Sequence, residues 1–322
     1  MFPWYRSEGS LARAVPVRFE NAPFAKKPGK RATQEQTQAY CQAKKEKNLS
    51  TQTLQLIQGL RRQLDEQGAR ERDLLAVVDG SFCNRTIFRA VLDRVNLLAR
   101  CRKDARLCMP ASEGGRRKYA VEIFTPEHVR RDNRISWKRA RIHYAGKRRW
   151  IRYKVLHNVL WRRGAATRPL QLIVIAPQPY KLSKHSRTNY REPAYLLTTD
   201  LKSSSRLLIQ YYFDRWQIEV NHRDEKSLLG VGHAQVRSPL SIPRHPAFAV
   251  ASYSMLCLAA LQTFGTNRTE EFCPLPKWRK NTSHYSTLDL LTLLRKEINN
   301  ETSVSDYLNP NVAQNLVRYA YA

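Results

Sequence analysis

The sequence predicts an α/β fold, in which a core of buried strands and amphipathic helices carries a β-rich insertion before its last helix. Short apolar runs bounded by Asp and Gly are typical of buried strands, and they alternate with stretches whose apolar residues recur at helical spacing. A basic tract over residues 116–163 contains alternating segments typical of further strands. We predict a first part of the core over residues 1–110, the insertion over 111–194, a second part of the core over 195–265 and a carboxy-terminal tail over 266–322.

The first part of the core is predicted from four patterns. Residues 11–20 contain an alternating apolar segment with Pro16 early in it, which favours a short strand. Residues 33–67 indicate one or two amphipathic helices ending near Gly68. The apolar run over 73–79 ends in Asp79 and predicts a buried strand that delivers a carboxylate at its carboxyl end. A helix over 86–92 and a second buried strand over 96–102 follow.

The later elements follow from the same kinds of pattern. Residues 150–156 and 169–176 predict strands of the insertion, and 194–200 predicts a strand of the core. The serines at 203–205 offer a helix N-cap, and the helix that they begin is predicted to run to about Leu229, with Gly230 as its stop. Residues 246–264 are uncharged and favour a helix buried against the core. Residues 288–299 favour another helix.

The charge of the chain points to a polyanionic partner. The 322 residues contain 56 Lys and Arg against 27 Asp and Glu, which gives a formal net charge of +29. Solubility does not require such a charge, and nucleic acid is the default partner of a chain this basic. The basic residues spread through long globular stretches, unlike those of a membrane-surface protein. RNP-like and Gly-rich motifs, which would indicate an RNA-binding protein, are absent from the sequence.

The cysteines and the amino terminus predict a cytoplasmic protein, and a DNA partner would associate it with the nucleoid. The six cysteines show no Cys-x2-Cys pair and no His at zinc spacing, so we interpret them as free thiols. The first residues lack the apolar core of a signal peptide. Polar residues within 246–264, such as Ser252 and Gln262, leave its apolar part too short for a membrane span.

The most informative segment is 212–226. Tyr212, Arg215, Glu219, His222 and Lys226 follow one another at intervals of three, four, three and four residues, which are spacings of one helix face. A carboxylate between an Arg one turn before it and a Lys two turns after it would bring a metal ion and a phosphate together. The alternative is an ordinary amphipathic helix with solvated charges.

The spacing Tyr-x2-Arg-x3-Glu-x6-Lys, followed by Leu228-Leu229-Gly230, resembles the signature of the insertion-sequence-four superfamily of bacterial transposases. The block that begins Asp79-Gly80-Ser81-Phe82 resembles the second Asp segment of that family, and the resemblance covers roughly residues 11–237. It implies an RNase H-like core and an Asp-Asp-Glu site for Mg²⁺ or Mn²⁺. Asp79 and Glu219 would be catalytic metal ligands. It also implies a homodimer acting on double-stranded DNA.

The resemblance leaves the first Asp of that site unplaced. It should precede the strand at Val15-Pro16-Val17, but residues 1–14 contain no Asp, so we expect a chain that is truncated or begins at an internal start. Two alternatives stay open. In one alternative, Asp79 is the first carboxylate of the site and Asp104 or Asp200 is the second. In the other, a nearby acid such as Glu20 substitutes for the missing first Asp. Basic neighbours favour a surface ion pair for Asp104, and its position after a strand favours a turn or helix start for Asp200.

DNA contacts are predicted at two places. Arg215 and Lys226 would hold phosphates at the cleavage point, and Tyr212 would hydrogen-bond a phosphate oxygen. His222 stays outside the catalytic set. In the insertion, the candidates for phosphate contact and base stacking are Arg148, Arg149 and Trp150, together with Trp161, Arg162 and Arg163. The alternative is that each Trp belongs to a core and the Arg residues form a solvated edge.

These expectations combine into one leading hypothesis. It is a transposase that hydrolyses DNA strands at insertion-sequence ends with Mg²⁺, after which the freed 3′ hydroxyl attacks a phosphodiester of the target DNA. The alternative is a catalytically incomplete DNA-binding remnant that lacks the first Asp.

Overall fold

The computed structural model describes residues 25–112, 116–144, 147–183, 185–275 and 284–300. The predicted strand over 11–20 and the alternative carboxylate Glu20 lie outside these residues. Within them the chain is mixed α/β, and it divides into two compact units that we describe separately. The first contains the described residues up to Gln217, and the second contains those from Ile218 onward.

The first unit contains a mixed sheet with several helices. In chain order its strands are β1 (Leu74–Val78), β2 (Val95–Arg100), β3 (Leu107–Pro110), β4 (Tyr119–Phe124), β5 (Lys138–Tyr144), β6 (Lys147–Val159), β7 (Leu170–Ile175), β8 (Pro179–Tyr180), β9 (Asn189–Tyr190) and β10 (Ala194–Thr198). Its helices are α1 (Gln34–Glu46), α2 (Leu49–Glu66), α3 (Arg85–Phe88), α4 (Pro126–Arg131), α5 (Arg162–Ala165) and α6 (Ser205–Asp214), with a 3-10 turn over Gly80–Phe82.

The main sheet has six strands in the order β1-β2-β10-β7-β6-β5. β1 and β2 are parallel, and every other pair is antiparallel. All six residues of β7 are buried, because both faces of the sheet are covered. Leu97 packs on the side of α2 and α3, and its neighbour Leu98 packs on the side of α6. Strands β5, β6 and β7, from the predicted insertion, therefore continue the sheet that contains β1 and β2.

Local patterns predicted several elements correctly. The helical stretch over 33–67 forms two helices, which begin at the side-chain caps Thr33 and Asn48. The runs at 96–102, 169–176 and 194–200 form β2, β7 and β10. The predicted helix over 86–92 is shorter, since α3 ends at Phe88. β1 is half-buried instead of buried, because β2 is its one strand neighbour within the described residues.

The second unit is helical in its described part. It contains α7 (Gln217–Ser227), α8 (Ser241–Phe264) and α9 (Thr287–Asn300), and the unit boundary falls after the first residue of α7. Hydrogen bonds connect the three helices: Thr287 Oγ1 donates to Asp224 Oδ2 at 2.7 Å and lies 3.1 Å from the Tyr253 hydroxyl. α9 confirms the predicted helix over 288–299. α8 begins earlier than predicted and, within the described residues, is the one helix long and apolar enough to cross a membrane.

The prediction of a single helix that runs to Leu229 is wrong. The helix that begins after the N-cap Ser204 ends at Asp214, and a separate helix begins at Gln217. The Trp216 amide donates to the Phe213 carbonyl at 3.2 Å, three residues back, so the chain tightens after α6 instead of continuing the α-helix. Tyr212 and Arg215 therefore belong to α6 and its end, and Glu219 and Lys226 belong to α7.

Candidate functional site

Asp79 stands directly after β1, at the carboxyl end of the parallel pair of strands. Its carbonyl accepts a hydrogen bond from the Phe82 amide at 3.0 Å, which forms the turn, but its side chain makes no capping hydrogen bond to that turn. The carboxylate is exposed. The turn that follows β1 therefore does not depend on the Asp79 side chain, and this carboxylate is available to a ligand.

Asp79 lines a cavity of about 930 Å³ in the first unit, a size typical of ligand sites. The wall carries charges of both signs. Its acidic members are Asp79, Asp104, Glu127 and Glu192, and its basic members are Arg100, Arg102, Lys103, His128, Arg130 and Arg131. A cationic wall that surrounds carboxylates is suited to a phosphate group and its counterion.

Tyr212 of the predicted motif lies within electrostatic range of both Asp79 and Arg215. Burial raises the pKa of the Tyr212 hydroxyl, the cations Arg100 and Arg215 oppose this rise, and the Asp79 carboxylate adds to it. Three charged groups from three distant chain segments therefore act electrostatically on one hydroxyl. Tyr212, itself a residue of α6, is half-buried and packs against the part of the core that α6 covers. At neutral pH it is a phenol that can donate a hydrogen bond.

Glu127 is a site residue that the sequence reasoning missed. Its Oε1 accepts hydrogen bonds from Arg130 at 2.6 Å and Arg131 at 2.7 Å, and its Oε2 accepts from Arg130 at 2.8 Å and from the Tyr195 hydroxyl. The Arg130 guanidinium is the main cause of a Glu127 pKa well below its usual range. Glu127 thus orients two cations at the cavity. The signal was present, because Glu127, Arg130 and Arg131 have the i, i+3, i+4 spacing of a helical ion-pair group.

The two alternative second carboxylates are both engaged. Asp104 forms a two-pronged pair with Arg102, at 2.9 and 2.7 Å, and both side chains are exposed. The Asp200 Oδ1 accepts from the amides of Lys202 and Ser203 at 2.9 Å each. The geometry of Asp104 matches its interpretation as a member of a surface ion pair, and that of Asp200 matches its interpretation as a turn residue.

The sheet register also separates Asp200 from Asp79. β10 runs antiparallel to β2, and the Thr199 amide donates to the Leu97 carbonyl. Asp200, the residue after Thr199, therefore lies level with the first residues of β2. Asp79 follows Val78, which pairs with Ala99. The two carboxylates therefore lie toward opposite ends of the sheet, roughly 13 Å apart along the strands, since each residue rises about 3.3 Å.

Glu219 and Lys226 are both exposed on α7, in the second unit. They are seven residues apart on one helix and share a face. His222 lies between them, with its Nδ1 3.3 Å from Glu225 Oε2, which matches its interpretation as a hydrogen-bonding neighbour. The meeting of Glu219 with Asp79 stays a prediction.

The hairpin of β5 and β6 carries a basic and aromatic surface. The register pairs Arg139 with Arg152, Arg141 with Trp150 and His143 with Arg148. Because side chains alternate along a strand, these six lie on one face, which we call the hairpin face. Trp150 is 66% exposed.

The predicted groups of basic and aromatic residues separate in the structure. Arg149 points to the other side of the hairpin, with its guanidinium 5.2 Å from the ring centre of Tyr144. Arg148 and Trp150 stay together on the hairpin face. Trp161 is half-buried and packs edge-to-face on Phe88, as its core interpretation expects.

The described residues contain no group of three or more His, Cys, Asp or Glu side chains that could hold a metal ion. Mg²⁺ in phosphoryl-transfer sites is commonly held by one or two carboxylates plus substrate phosphates. An available Asp79 in a cationic cavity fits that mode of binding. All six cysteines are free thiols, as predicted, and burial raises the pKa of Cys83 to about 12.

Two comparisons with known proteins gave no match. No family model matches the chain, and no curated protein matches its sequence.

Proposed function

We propose that the protein is a DNA transposase of the Asp-Asp-Glu type. One observation carries the proposal: Asp79 and Arg100 line one cavity of the first unit, and these two residues, together with Arg215, act electrostatically on the Tyr212 hydroxyl although they come from three distant segments. The carboxylate would help to hold the metal ion, and the two cations and the phenol would bind the phosphodiester. The Tyr and Arg are those of the predicted motif, and the Asp is the one predicted from the end of the β1 segment.

An RNase H-like core is part of this proposal. Its support is the parallel pair β1 and β2, which puts Asp79 at a carboxyl strand end within a mixed sheet. Ligand sites of open α/β sheets lie at such strand ends. A cytoplasmic location on the nucleoid and a homodimer on DNA follow from the same proposal.

Asp79 and Glu219 would hold Mg²⁺ or Mn²⁺, with phosphodiester oxygens completing its ligands. The ion, when bound, lowers the cost of the negative charge that develops at the reacting phosphate. The chain supplies the rest. Arg100 and Arg215 neutralise the phosphodiester that enters the cavity, and the Tyr212 hydroxyl donates a hydrogen bond to one of its oxygens. Lys226 holds a further phosphate.

The hairpin face would hold DNA away from the cleavage point. Its Arg residues contact phosphates without regard to sequence. Trp150, opposite Arg141 and between Arg148 and Arg152, offers a stacking surface to an unpaired base. Arg149 would contact DNA from the hairpin edge.

Cleavage of supercoiled plasmid in Mg²⁺ tests the proposal. We expect nicking by the full chain, its loss by at least about a hundredfold in Asp79→Asn and in Glu219→Gln, and unchanged DNA affinity in both variants. Asp104→Asn and the exposed Glu297→Gln are the matched controls, and both should nick normally. Nicking that survives both site changes would overturn the assignment of the site.

The absence of a three-carboxylate group in the described residues favours one second candidate, a DNA-binding protein without cleavage activity. It predicts that the wild-type chain binds DNA but fails to nick it in Mg²⁺ or Mn²⁺. The same plasmid assay, run beside a binding assay, therefore separates the two functions.

A further inference from the structure

A second hairpin rises from the rim of the cavity that contains Asp79. It consists of β8, β9 and the turn between them, and it connects the end of β7 to the start of β10. Pro177, which precedes β8, lines the cavity, as do Glu192 and Pro193, which follow β9. Both ends of the hairpin are therefore anchored in the cavity wall. We call this hairpin, residues 178–191, the arm.

The arm keeps one register between its foot and its turn. At the foot, the Arg191 amide donates to the Gln178 carbonyl at 2.9 Å. At the turn, the Ser186 amide donates to the Ser183 carbonyl at 3.2 Å. The strands pair in the same register between these points: Pro179 with Tyr190 and Tyr180 with Asn189. Because side chains alternate along a strand, this register gives the arm two distinct faces.

The backbone of the arm is restrained at its foot. A two-stranded hairpin is marginally stable in isolation. Here Pro177, Pro179 and Pro193 each fix one backbone dihedral near the foot. The Arg191 guanidinium also lies 5.6 Å from the ring centre of Tyr180, within the range of a cation–π contact. The arm therefore holds its exposed side chains in place before a ligand arrives.

One face of the arm continues the cavity wall outward. Alternate residues of a strand share a face, so Pro177 of the cavity wall is in phase with Lys181. On the other strand, Glu192 of the wall is in phase with Tyr190 and Thr188. The side chains of Lys181, Thr188 and Tyr190 are exposed, and we call these three residues the arm face. A molecule that enters the cavity from this side passes over them.

The arm face offers donors that suit a phosphate group. An ammonium group and two hydroxyls are among the side-chain groups that proteins use to contact the DNA backbone. The side chains of the arm face make no hydrogen bond or ion pair within the part of the chain that the structure describes. Between Pro179 and Arg191 the sequence also contains four Lys and Arg residues and no Asp or Glu. The arm is thus a cationic element with available donors on its cavity side.

We propose that the arm holds duplex DNA just outside the cavity by binding its phosphate backbone. From Pro177 to Ser183 the arm spans six residues, or roughly 20 Å at about 3.3 Å per residue. A strand of a duplex advances about 3.4 Å per nucleotide, so the arm reaches phosphates up to about six base pairs from the cavity. Such contacts position DNA without reading its sequence. The proposal rests on the proposed function in one respect, that DNA is the partner.

Stacking of an unpaired base on Tyr190 is the competing explanation for its exposed ring, which is 67% accessible. A surface for successive stacked bases needs successive aromatic side chains. The other two residues of the arm face, Lys181 and Thr188, offer polar donors instead. This composition favours contact with the DNA backbone.

Binding of duplex DNA by the full chain in EDTA tests the proposal independently of cleavage. Lys181→Gln should weaken binding equally for unrelated sequences and should reduce the slope of log affinity against log salt by about one. Arg187→Gln is the matched control, because it removes the same charge from the opposite face of the same hairpin and should leave the slope unchanged. Fluorescence anisotropy measures the affinities, and circular dichroism checks the folding of each variant.

Substitutions of Tyr190 separate backbone contact from base stacking. Tyr190→Phe removes the hydroxyl and keeps the ring, whereas Tyr190→Ala removes both. Binding of a phosphate by the hydroxyl predicts that each variant loses affinity for duplex DNA by about fivefold or more. Base stacking predicts a loss in Tyr190→Ala alone.

Three results would overturn the proposal. The first is an unchanged salt slope in Lys181→Gln. The second is an equal loss of slope in Lys181→Gln and Arg187→Gln, which would make net charge the cause. The third is full affinity in Tyr190→Phe beside a loss in Tyr190→Ala, which would assign the ring to an unpaired base. A chain that binds DNA through the arm but does not nick plasmid retains this proposal and loses only the proposed cleavage.

Discussion

Glu127 shows how one carboxylate can organise a cationic wall without meeting a substrate. It accepts hydrogen bonds from two arginines and a tyrosine, so its lone pairs are largely occupied. The cations that it orients line the same cavity as Asp79. A carboxylate in this role lowers the net positive charge of the cavity but fixes the positions of the guanidinium groups.

Acid should weaken this arrangement. Since the Glu127 pKa lies below its ordinary value of 4.5 in the folded chain, its stabilisation is fully present above pH 4.5 and is lost as the pH falls below it. Glu127→Gln should lower the free energy of unfolding by about 1–3 kcal/mol at neutral pH, and this difference should shrink in acid. Urea unfolding at several pH values measures it. Glu192→Gln, on the same cavity, is the matched control for the loss of one carboxylate.

Lys154 is a second residue with an internal role. It is completely buried, and its ammonium group donates to the carbonyls of Val129, Arg130 and Asp132 at the end of α4. Trp137 covers it, with 4.7 Å between the nitrogen and the ring centre. This lysine of the basic tract therefore holds α4, and the Arg130 and Arg131 cations on it, against β6. It takes no part in the hairpin face.

At the scale of elements, DNA binding and folding should depend on different tryptophans, Trp150 on the β5–β6 hairpin and Trp161 in the core. Trp150→Ala should weaken binding of single-stranded DNA by about 1–3 kcal/mol, the value of one stacked base, with unchanged thermal stability. Trp161→Ala should do the reverse, because Trp161 packs on Phe88 in the core. Fluorescence anisotropy and thermal unfolding of the two variants make the comparison. Equal effects of both changes on DNA binding would contradict the assignment of the hairpin face.

Periodic patterns could predict most elements but not their connections. The apolar runs of β2, β7 and β10 identify strands because the main sheet buries both of their faces. The break between Asp214 and Gln217 could not be found this way, since both halves keep helical spacing and no Pro or Gly marks the end. The order of the strands depends on pairing between residues about a hundred positions apart, which no local pattern contains.

The residues of the candidate site could also be predicted only in part from local patterns. Asp79 follows from an apolar run that ends in Asp, and Tyr212 and Arg215 follow from spacing. The register of β1 and β2 places Arg100 beside Asp79, and Glu127 enters the cavity through α4, a short helix that was not predicted. Both depend on tertiary packing.

At the scale of the whole molecule, the charge of the chain should make DNA binding depend strongly on salt. DNA affinity should fall by about 10³–10⁵ between 50 and 200 mM salt if six to ten phosphates are contacted. Anisotropy of labelled duplex DNA measures this dependence. A DNA affinity that is insensitive to salt would contradict electrostatic binding by this chain.

The position of β10 in the sheet has a consequence for biosynthesis. β2 is flanked by β1, which precedes it closely, and by β10, which pairs Leu196 with Arg100. During translation at about 5–20 residues per second, β2 waits roughly 5–20 s for that second neighbour. Until then a strongly apolar strand has an open edge on the nascent chain, where it can pair wrongly. The ribosome-bound chain should therefore depend on chaperones until β10 has left the exit tunnel.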